Sequence, residues 1–281
     1  MSIISLYTAA SALKAHQQYL GIVANNLANV NTVGYKGARA LFSDTISQQL
    51  RPPTLPSATN PGANGAQIGL GTQIGAIGVL FNQGGLQATG LSTDLAVEGN
   101  GFFVVKNPST SALFYTRAGN FSVDTNGNLT TITGERVQGG ADGAVDGDAL
   151  IDITVPADVG GVKVVSFNID ALGRVNALLE DGTNAVVASL TLEKFNNNEG
   201  LVRAGSNLFQ ATPSAGPVFG AFQTVGAGGL GNLRAGFLEL SNIDLGNEFS
   251  EIIRAQRGLQ ANARVITTSD EVIQELVNLK R

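Results

Sequence analysis

MSIISLYTAASALKAHQQYLGIVANNLANV, Met1 to Val30, decides how the rest of the chain is read. Ile3, Leu6, Ala10, Leu13, Gln17, Leu20, Ala24 and Leu27 follow one another in alternating steps of three and four, and among them only Gln17 is not apolar. That alternation is the heptad seam of a helix built to lie against another helix. The opposite end repeats it with Phe249, Ile252, Gln256, Leu259, Ala263, Ile266, Asp270, Ile273 and Val277. A helix with one apolar stripe gains most of its stability by covering that stripe. Each end therefore requires a partner, and the nearest candidate is the other end.

Past Leu27 the seam stops in ANNLANVNTVGYK, where Asn25, Asn26, Asn29 and Asn31 compete for backbone hydrogen bonds and Gly34 breaks the helix. The first helix is expected to end near Asn29 to Asn31. Gly37 to Leu50 offers a short helix or an extended piece. Arg51 to Gly65 carries Pro52, Pro53, Pro56 and Pro61 and reads as an extended connector. From Gln67 the chain turns to short β-branched and aromatic runs punctuated by Gly, such as QIGLGTQIGAIGVLF and LAVEGNGFFVV, which read as strands. Asn126-Gly127, flanked by Phe121, Val123 and Leu129, predicts a hairpin whose two central residues both take positive φ. Further strands are expected at Ile151 to Val155, Lys163 to Ile169, Arg174 to Leu179, Ala185 to Phe195 and Leu208 to Ala211, with loops through the rest of Asn196 to Arg234. Ser241, Asn242 and Asp244 are N-cap residue types ahead of the last helix.

The fold class is thus α+β: terminal helices paired as a coiled coil, and a central antiparallel β domain, barrel-like, with Gly-rich turns. The boundaries read 1–31 for the N-terminal helix, 32–75 for the connector, 76–240 for the β domain and 241–281 for the C-terminal helix.

Composition narrows the function. Only 14% of residues are charged against about 25% in an average protein, glycine is abundant at 36, and the net charge is −5. No basic patch offers itself to nucleic acid. The absence of cysteine removes disulfides, thiolate nucleophiles and the usual zinc sites. No run approaches the roughly eighteen apolar residues of a membrane span. Lys14, His16, Gln17 and Gln18 interrupt any apolar core of a cleavable signal, so export by another route is expected.

Small motifs that suggest chemistry have simpler explanations. Asp124, Asn126, Asn128 and Glu135 have calcium-loop spacing, but Leu129 stands where that loop needs glycine. Asp142, Asp146, Asp148 and Asp152 read as a solvated acidic turn. The glycines at 69, 71 and 75 are sheet bends rather than a dinucleotide fingerprint. His16, the single histidine, reads as an exposed helical residue, and Arg117, Arg136 and Arg174 as partners in structural ion pairs. No catalytic residues, cofactor or metal are expected.

The two ends are more specific than their periodicity. SLYTAASALKAHQQYLGIVANNLANVNTVGYK, Ser5 to Lys36, resembles the bacterial flagellar rod and hook family, in which an amphipathic helix runs into an ANNxANxxTxGYK element, here Asn25, Asn26, Asn29, Thr32, Gly34, Tyr35 and Lys36. GLSTDLAVEGNGFFVV and FYTRAGNFSVDTNGNL resemble two internal blocks of that family, and SNIDLGNEFSEIIRAQRGLQANARVITTSDEVIQELVNL its C-terminal helix. The matches cover about half the chain, in the family's order; Leu150 to Gly236 matches loosely.

The resemblance implies a non-enzymatic axial subunit of the flagellum, handled by the flagellar export apparatus and located in the hook or basal body. Its partners would be copies of itself and the neighbouring rod, hook and junction proteins, with no nucleic acid and no small-molecule substrate. Assembly would use the seams Ile3, Leu6, Leu13, Leu20 and Leu27 at one end and Phe249, Ile252, Leu259, Ile266, Ile273 and Val277 at the other. The C-terminal helix, with Glu251, Arg254, Arg257, Glu271 and Glu275, would face a water-filled channel, since the N-terminal helix carries Lys14 as its one charge. The run TNPGANGAQIGLG is more like hook subunits and the short chain more like the distal rod subunit; the reading taken is hook, with distal rod as the alternative.

Overall fold

The computed structural model describes residues 2–56, 61–216 and 222–279, with side chains from Ile4 onward; part of the proline-rich stretch, the Pro217 segment and the Ile3 side chain lie outside the described residues. The chain forms an N-terminal helix, a C-terminal helix and a large β-rich centre. It divides into two compact units, one made of Met1–Ala28, Ala38–Leu80 and Asp244–Arg281, the other of Asn29–Gly37 and Phe81–Ile243.

In the first unit, helix α1 spans Ser2–Ala28 and helix α2 Leu245–Leu279. Of the three expected cap types, Asp244 is the one that starts α2: its Oδ1 accepts from the N–H of Gly246 at 2.8 Å and of Asn247 at 3.1 Å. The helices run antiparallel. Ser5 hydrogen-bonds Ser269 at 3.3 Å, a Cβ on Gly258 would lie 2.7 Å from the His16 ring, and Asn26 donates to Glu248 at 3.3 Å. Ser5 to His16 is eleven residues forward and Ser269 to Gly258 eleven back; His16 to Asn26 and Gly258 to Glu248 are ten each way. Register is therefore constant over about six turns, and Gly258 is the position where the His16 ring takes the room that a side chain would need.

The same unit holds four strands: β1 (Ala38–Asp44), β2 (Ser47–Arg51), β3 (Ala66–Gly69) and β4 (Thr72–Val79). β1 pairs β4 from Ala38↔Val79 to Asp44↔Thr72, and β2 pairs β3 from Ser47↔Gly69 to Arg51↔Ala66. The segment expected as an extended connector is thus a folded-back antiparallel ribbon, with the Thr54↔Ala63 bridge toward its tip. The reason is legible afterwards: Pro52, Pro53, Pro56 and Pro61 lie outside the paired strands, where a missing N–H costs nothing. Every residue of β2 is exposed, so no alternation of apolar and polar residues announces it.

Among the described residues the second unit is built on a sheet of thirteen strands whose longest path contains, in spatial order, Asp158–Val159, Val162–Ile169, Arg174–Leu179, Asn184–Leu190, Arg136–Ala141, Phe102–Lys106, Leu113–Thr116, Leu208–Gln210 and Val202–Gly205. All its pairings are antiparallel. Among the described strands the path is open and does not close into a ring, so the centre is a sheet rather than a closed barrel. Phe102–Lys106 explains the unbroken apolar run GFFVV. Phe103 and Val105 enter one core with Leu95, Leu190 and Leu192, while Phe102 and Val104 enter another with Tyr115, Phe195 and Phe209. A strand covered on both faces has no polar side to alternate with.

The hairpin at Asn126-Gly127 is present, with Ser122–Val123 paired to Leu129–Thr130. Its turn differs from the one expected. Only Gly127 takes a positive φ, of 83°, and Asp124 Oδ1 ties the loop by accepting from the N–H groups of Asn126 and Asn128 at 2.8 Å each. One left-handed glycine after an Asp-anchored turn gives the longer hairpin loop instead of the two-residue one. The strands expected at 163–169, 174–179 and 208–211 fall at Val162–Ile169, Arg174–Leu179 and Leu208–Gln210.

Phe103 is fully buried, edge-on to Phe121 with ring centroids 5.1 Å apart. Phe103→Ala is expected to lower the unfolding free energy by about 3–5 kcal/mol, while Val123→Ala on the exposed hairpin shifts it by less than about 0.5 kcal/mol. Urea denaturation followed by circular dichroism reads both, and equal losses would remove Phe103 from the core that holds this unit.

Candidate assembly site

Small residues line the deepest face of α1. Ala9, Ala15, Val23 and Asn26 are buried; Leu6, Leu13, Leu20 and Leu27 are half-buried; Ala10, Gln17 and Ala24 are exposed. Leu6 and Leu13 flank Ala9, and Leu20 and Leu27 flank Val23, three and four residues to either side, so the leucine row lies about 40–60° round the helix from these two buried residues. On α2, Ala255 is buried and Ile252, Leu259, Ile266 and Ile273 are half-buried, whereas Phe249, Gln256, Ala263, Asp270 and Val277 are exposed. Half of each seam read from the sequence therefore points away from the chain's own packing. Tyr7 stands 72% exposed beside the α1 row. Arg254, Arg257, Glu271 and Glu275 are exposed as well.

The asparagine motif has a different job for each residue. The Asn26 carboxamide binds both backbone groups of Ala38, donating to its carbonyl at 2.8 Å and accepting from its N–H at 2.9 Å, so the end of α1 is tied to the start of β1. In the second unit, Asn29 accepts from the Thr32 hydroxyl through Oδ1 and from the Thr32 N–H through its carbonyl, both at 3.1 Å. Gly34 takes φ 67°, donates its N–H to the Glu239 carbonyl at 2.7 Å, and lies so close to the 117–118 peptide that a Cβ would stand 2.5 Å from the Ala118 nitrogen. Only glycine satisfies both the dihedral and the gap. Tyr35 is buried with the Arg203 guanidinium 4.8 Å over its ring. Asn25 is an exposed residue of α1.

Lys36 ends in a buried cluster. Its Nζ donates to the Asn82 carbonyl at 2.8 Å and to Glu239 Oε1 at 2.6 Å, and Arg117 reaches Glu239 Oε2 at 3.3 Å. The Lys36 and Glu239 side chains have no exposed surface. Arg117 also donates to the Gly99 carbonyl at 2.7 Å and lies 5.3 Å over the Phe102 ring. Sequence reading singled out Lys36 and Arg117 and missed Glu239, which stands 203 positions from Lys36; the charge inside the apolar strand GFLEL was the available signal. Arg136 and Arg174 pair with Asp152 and Asp170, each at 2.8 Å.

An acidic group gathers at the start of α2. Glu248 accepts from Asn26, and Glu251 accepts from the Tyr19 hydroxyl and pairs with Arg254 at 2.8 Å. Burial pushes the Glu248 carboxyl above the usual carboxylate range against the opposing Asn26 hydrogen bond, and the charges of Glu251 and Asp244 push it further. Burial likewise raises the Tyr19 phenol, and the hydrogen bond to Glu251 adds to it.

Other acidic residues of the candidate calcium motifs are engaged locally. Asp146 accepts from the N–H and hydroxyl of Thr224, Asp148 from the Val145 N–H, and Glu135 from the hydroxyls of Thr131 and Thr133. Among the described residues no group of three or more His, Asp or Glu could hold a metal ion, and no helix is long and apolar enough to cross a membrane. His16 is half-buried rather than exposed, its ring 5.6 Å from Phe42.

Three stretches match described families: residues 6–36 match Flagella basal body rod protein, 96–177 the Flagellar hook protein FlgE/F/G D1 domain, and 234–279 the Flagellar basal body rod FlgEFG protein C-terminal. The chain is 41% identical over 277 residues to the Flagellar basal-body rod protein FlgG of Bacillus subtilis (strain 168), covering 99% of each. It is 36% identical to the protein of the same name from Borreliella burgdorferi, covering 99% of this chain and 98% of that one. The Flagellar hook protein FlgE of Borreliella burgdorferi is 27% identical over 442 residues, covering 98% of this chain and 99% of that one. A solved structure, Helicobacter pylori flagellar hook protein FlgE2, aligns at 13% identity over 63% of this chain and 47% of that one, with a TM-score of 0.23 that bears no argument.

Two outcomes follow from the charged groups. Glu239→Ala leaves Lys36 and Arg117 buried without a counter-charge and is expected to cost roughly 3–5 kcal/mol, read by urea denaturation; a loss near zero would mean the cluster is hydrated. For Glu248 the folded pKa is raised, so its contribution is full below the unfolded value near 4.3 and is lost as pH rises through the folded value. Thermal melting of the helical signal should therefore rise on acidification within that window, and Glu248→Gln should flatten the rise. An unchanged slope in Glu248→Gln assigns the effect to another group.

Proposed function

The chain belongs to the flagellar basal-body rod and hook protein family, structural proteins of the flagellar axis, and on that premise we propose that it is the distal rod subunit, polymerising through its terminal helices. Both rod and hook subunits are members of the family. The rod reading is favoured because rod relatives align over nearly the whole of both chains at about this chain's length, whereas the hook alignment extends to 442 positions.

The observation that carries the assembly mechanism is the division of labour on α1. Ala9, Ala15, Val23 and Asn26 take the close packing inside the chain. The leucine row, Leu6, Leu13, Leu20 and Leu27, remains half-covered and awaits another subunit. Phe249 and Val277 present the same kind of surplus on α2, at 53% and 60% exposure. Ile3, at the head of the leucine row, and the half-covered Ile252, Leu259, Ile266 and Ile273 complete the two seams. Apolar surface of this extent, repeated every seven residues, suits knobs-into-holes packing in a coiled coil. The exposed charges of α2 suit a wet lumen, and the centre of the chain suits the outer wall. The partners on this reading are further copies of the chain, the adjoining rod, hook and junction proteins, and the flagellar export apparatus.

Deleting the gene and imaging isolated basal bodies separates the two members: a rod subunit leaves a truncated rod without a hook, a hook subunit leaves a finished rod without a hook. Complementation then tests the helices. Leu20→Asp sets an unpaired carboxylate on the leucine row, a penalty of several kcal/mol in each subunit contact, and should leave cells non-motile with the protein still exported. Motile cells carrying Leu20→Asp would show that this row is not covered in the assembled tube.

A further inference from the structure

The Lys36 cluster holds more charge than its packing needs. Two cations, Lys36 and Arg117, share the single carboxylate of Glu239. A guanidinium keeps its proton throughout the accessible range, so the excess falls on the amine. Burial pushes Lys36 below the ordinary lysine range and Arg117 pushes the same way, against the pull of Glu239. A buried lysine driven toward its neutral form is a nucleophile.

A carboxamide stands beside it. Lys36 Nζ donates to the Asn82 carbonyl at 2.8 Å, and Asn242 Nδ2 donates to that same oxygen at 3.2 Å. Asn242 Oδ1 accepts the Gly37 N–H at 2.8 Å, a donor that polarises the carbonyl and is placed to hold an oxyanion on it. Amine and carboxamide converge on the Asn82 carbonyl oxygen, with the proton acceptor Glu239 and the exclusion of water on the amine's side.

We propose that Lys36 and Asn242 join in an intramolecular amide bond, with Glu239 carrying the protons. Lys36 passes its ammonium proton to Glu239, and the freed Nζ attacks Cγ of Asn242 while the carbonyl electron pair moves onto Oδ1 under the Gly37 N–H. Glu239 delivers its proton to Nδ2 and takes a second one from Nζ. The Cγ–Nδ2 bond breaks, the carbonyl re-forms, and ammonia leaves with the proton from Glu239 as ammonium. Nothing is oxidised or reduced and no co-reactant is needed. The product leaves Arg117 and Glu239 as a one-to-one pair, so the reaction removes the charge excess that drives it. The bond would clasp residue 36 to residue 242 covalently, the first and last segments of the second unit.

The test is the intact mass of the folded full-length chain, measured before and after prolonged incubation at neutral and mildly alkaline pH and on protein from isolated basal bodies, with fragmentation to locate any change. The expected result is a chain lighter by one ammonia, a branched peptide joining Lys36 to Asn242, and Lys36 resistant to lysine-specific cleavage after denaturation. Asn242→Ala keeps the ionic cluster and should keep the full mass, as should wild-type chain held in urea. Folded wild-type protein at full mass in every sample overturns the proposal, and this reading needs no variant to fold. Ammonia loss that maps to Asn64-Gly65, Asn100-Gly101 or Asn126-Gly127, where a backbone nitrogen can close a succinimide, overturns it as well.

Discussion

Burying two cations against one carboxylate is the constraint on which the second unit depends. Glu239 binds Lys36 and Arg117 through different oxygens, and it also accepts the Gly84 N–H at 2.9 Å. Its own backbone carbonyl takes the Gly34 N–H. One residue near the end of the unit thereby positions the loop at its beginning, the bend after Leu113–Thr116 and the segment at Gln83 and Gly84. The desolvation of such a cluster is expensive and is repaid only when every partner is in place. Removing one partner is therefore far more damaging than any surface substitution, and the unit has one way to close.

The first unit works by apolar area instead. Ala9 and Ala15 let neighbouring elements approach α1 closely, and the leucines are displaced to a flank that the chain itself covers only in part. A helix that used its largest residues internally would have nothing left for polymerisation; one that exposed them all would aggregate before assembly. The half-covered state lies between these.

What the sequence made legible depended on whether a residue's role shows in its neighbours. The hairpin at Asn126-Gly127 was readable because turn chemistry is local, although the Asp124 tether that selects its loop length was not weighed. The terminal helices were readable from their stripes. Which face of α1 meets α2 was not, because the residues that mark it, Ser5, His16, Tyr19 and Asn26, are polar or only part apolar and contribute little to a hydrophobic pattern. β4 and most of β3 were readable in QIGLGTQIGAIGVLF, whereas β2 was missed since a strand exposed at every residue lacks any period-two signal. Glu239 was missed because its local signal, one charge inside the apolar strand GFLEL, does not name a partner 203 positions away.

Asn26 shows why the motif tolerates so little chemistry. Its carboxamide meets the donor and the acceptor of one residue, Ala38, as the N–H and C=O of the residue opposite would in an antiparallel ladder, so the side chain stands in for a strand residue and is supplied from a helix. Aspartate has the shape without the donor, and leucine has the size without either group. Glutamine carries both groups one methylene too far out. The genetic code offers a single isostere of the peptide unit at this reach, and a position that demands it is defined by molecular mimicry rather than by hydrophobicity or charge.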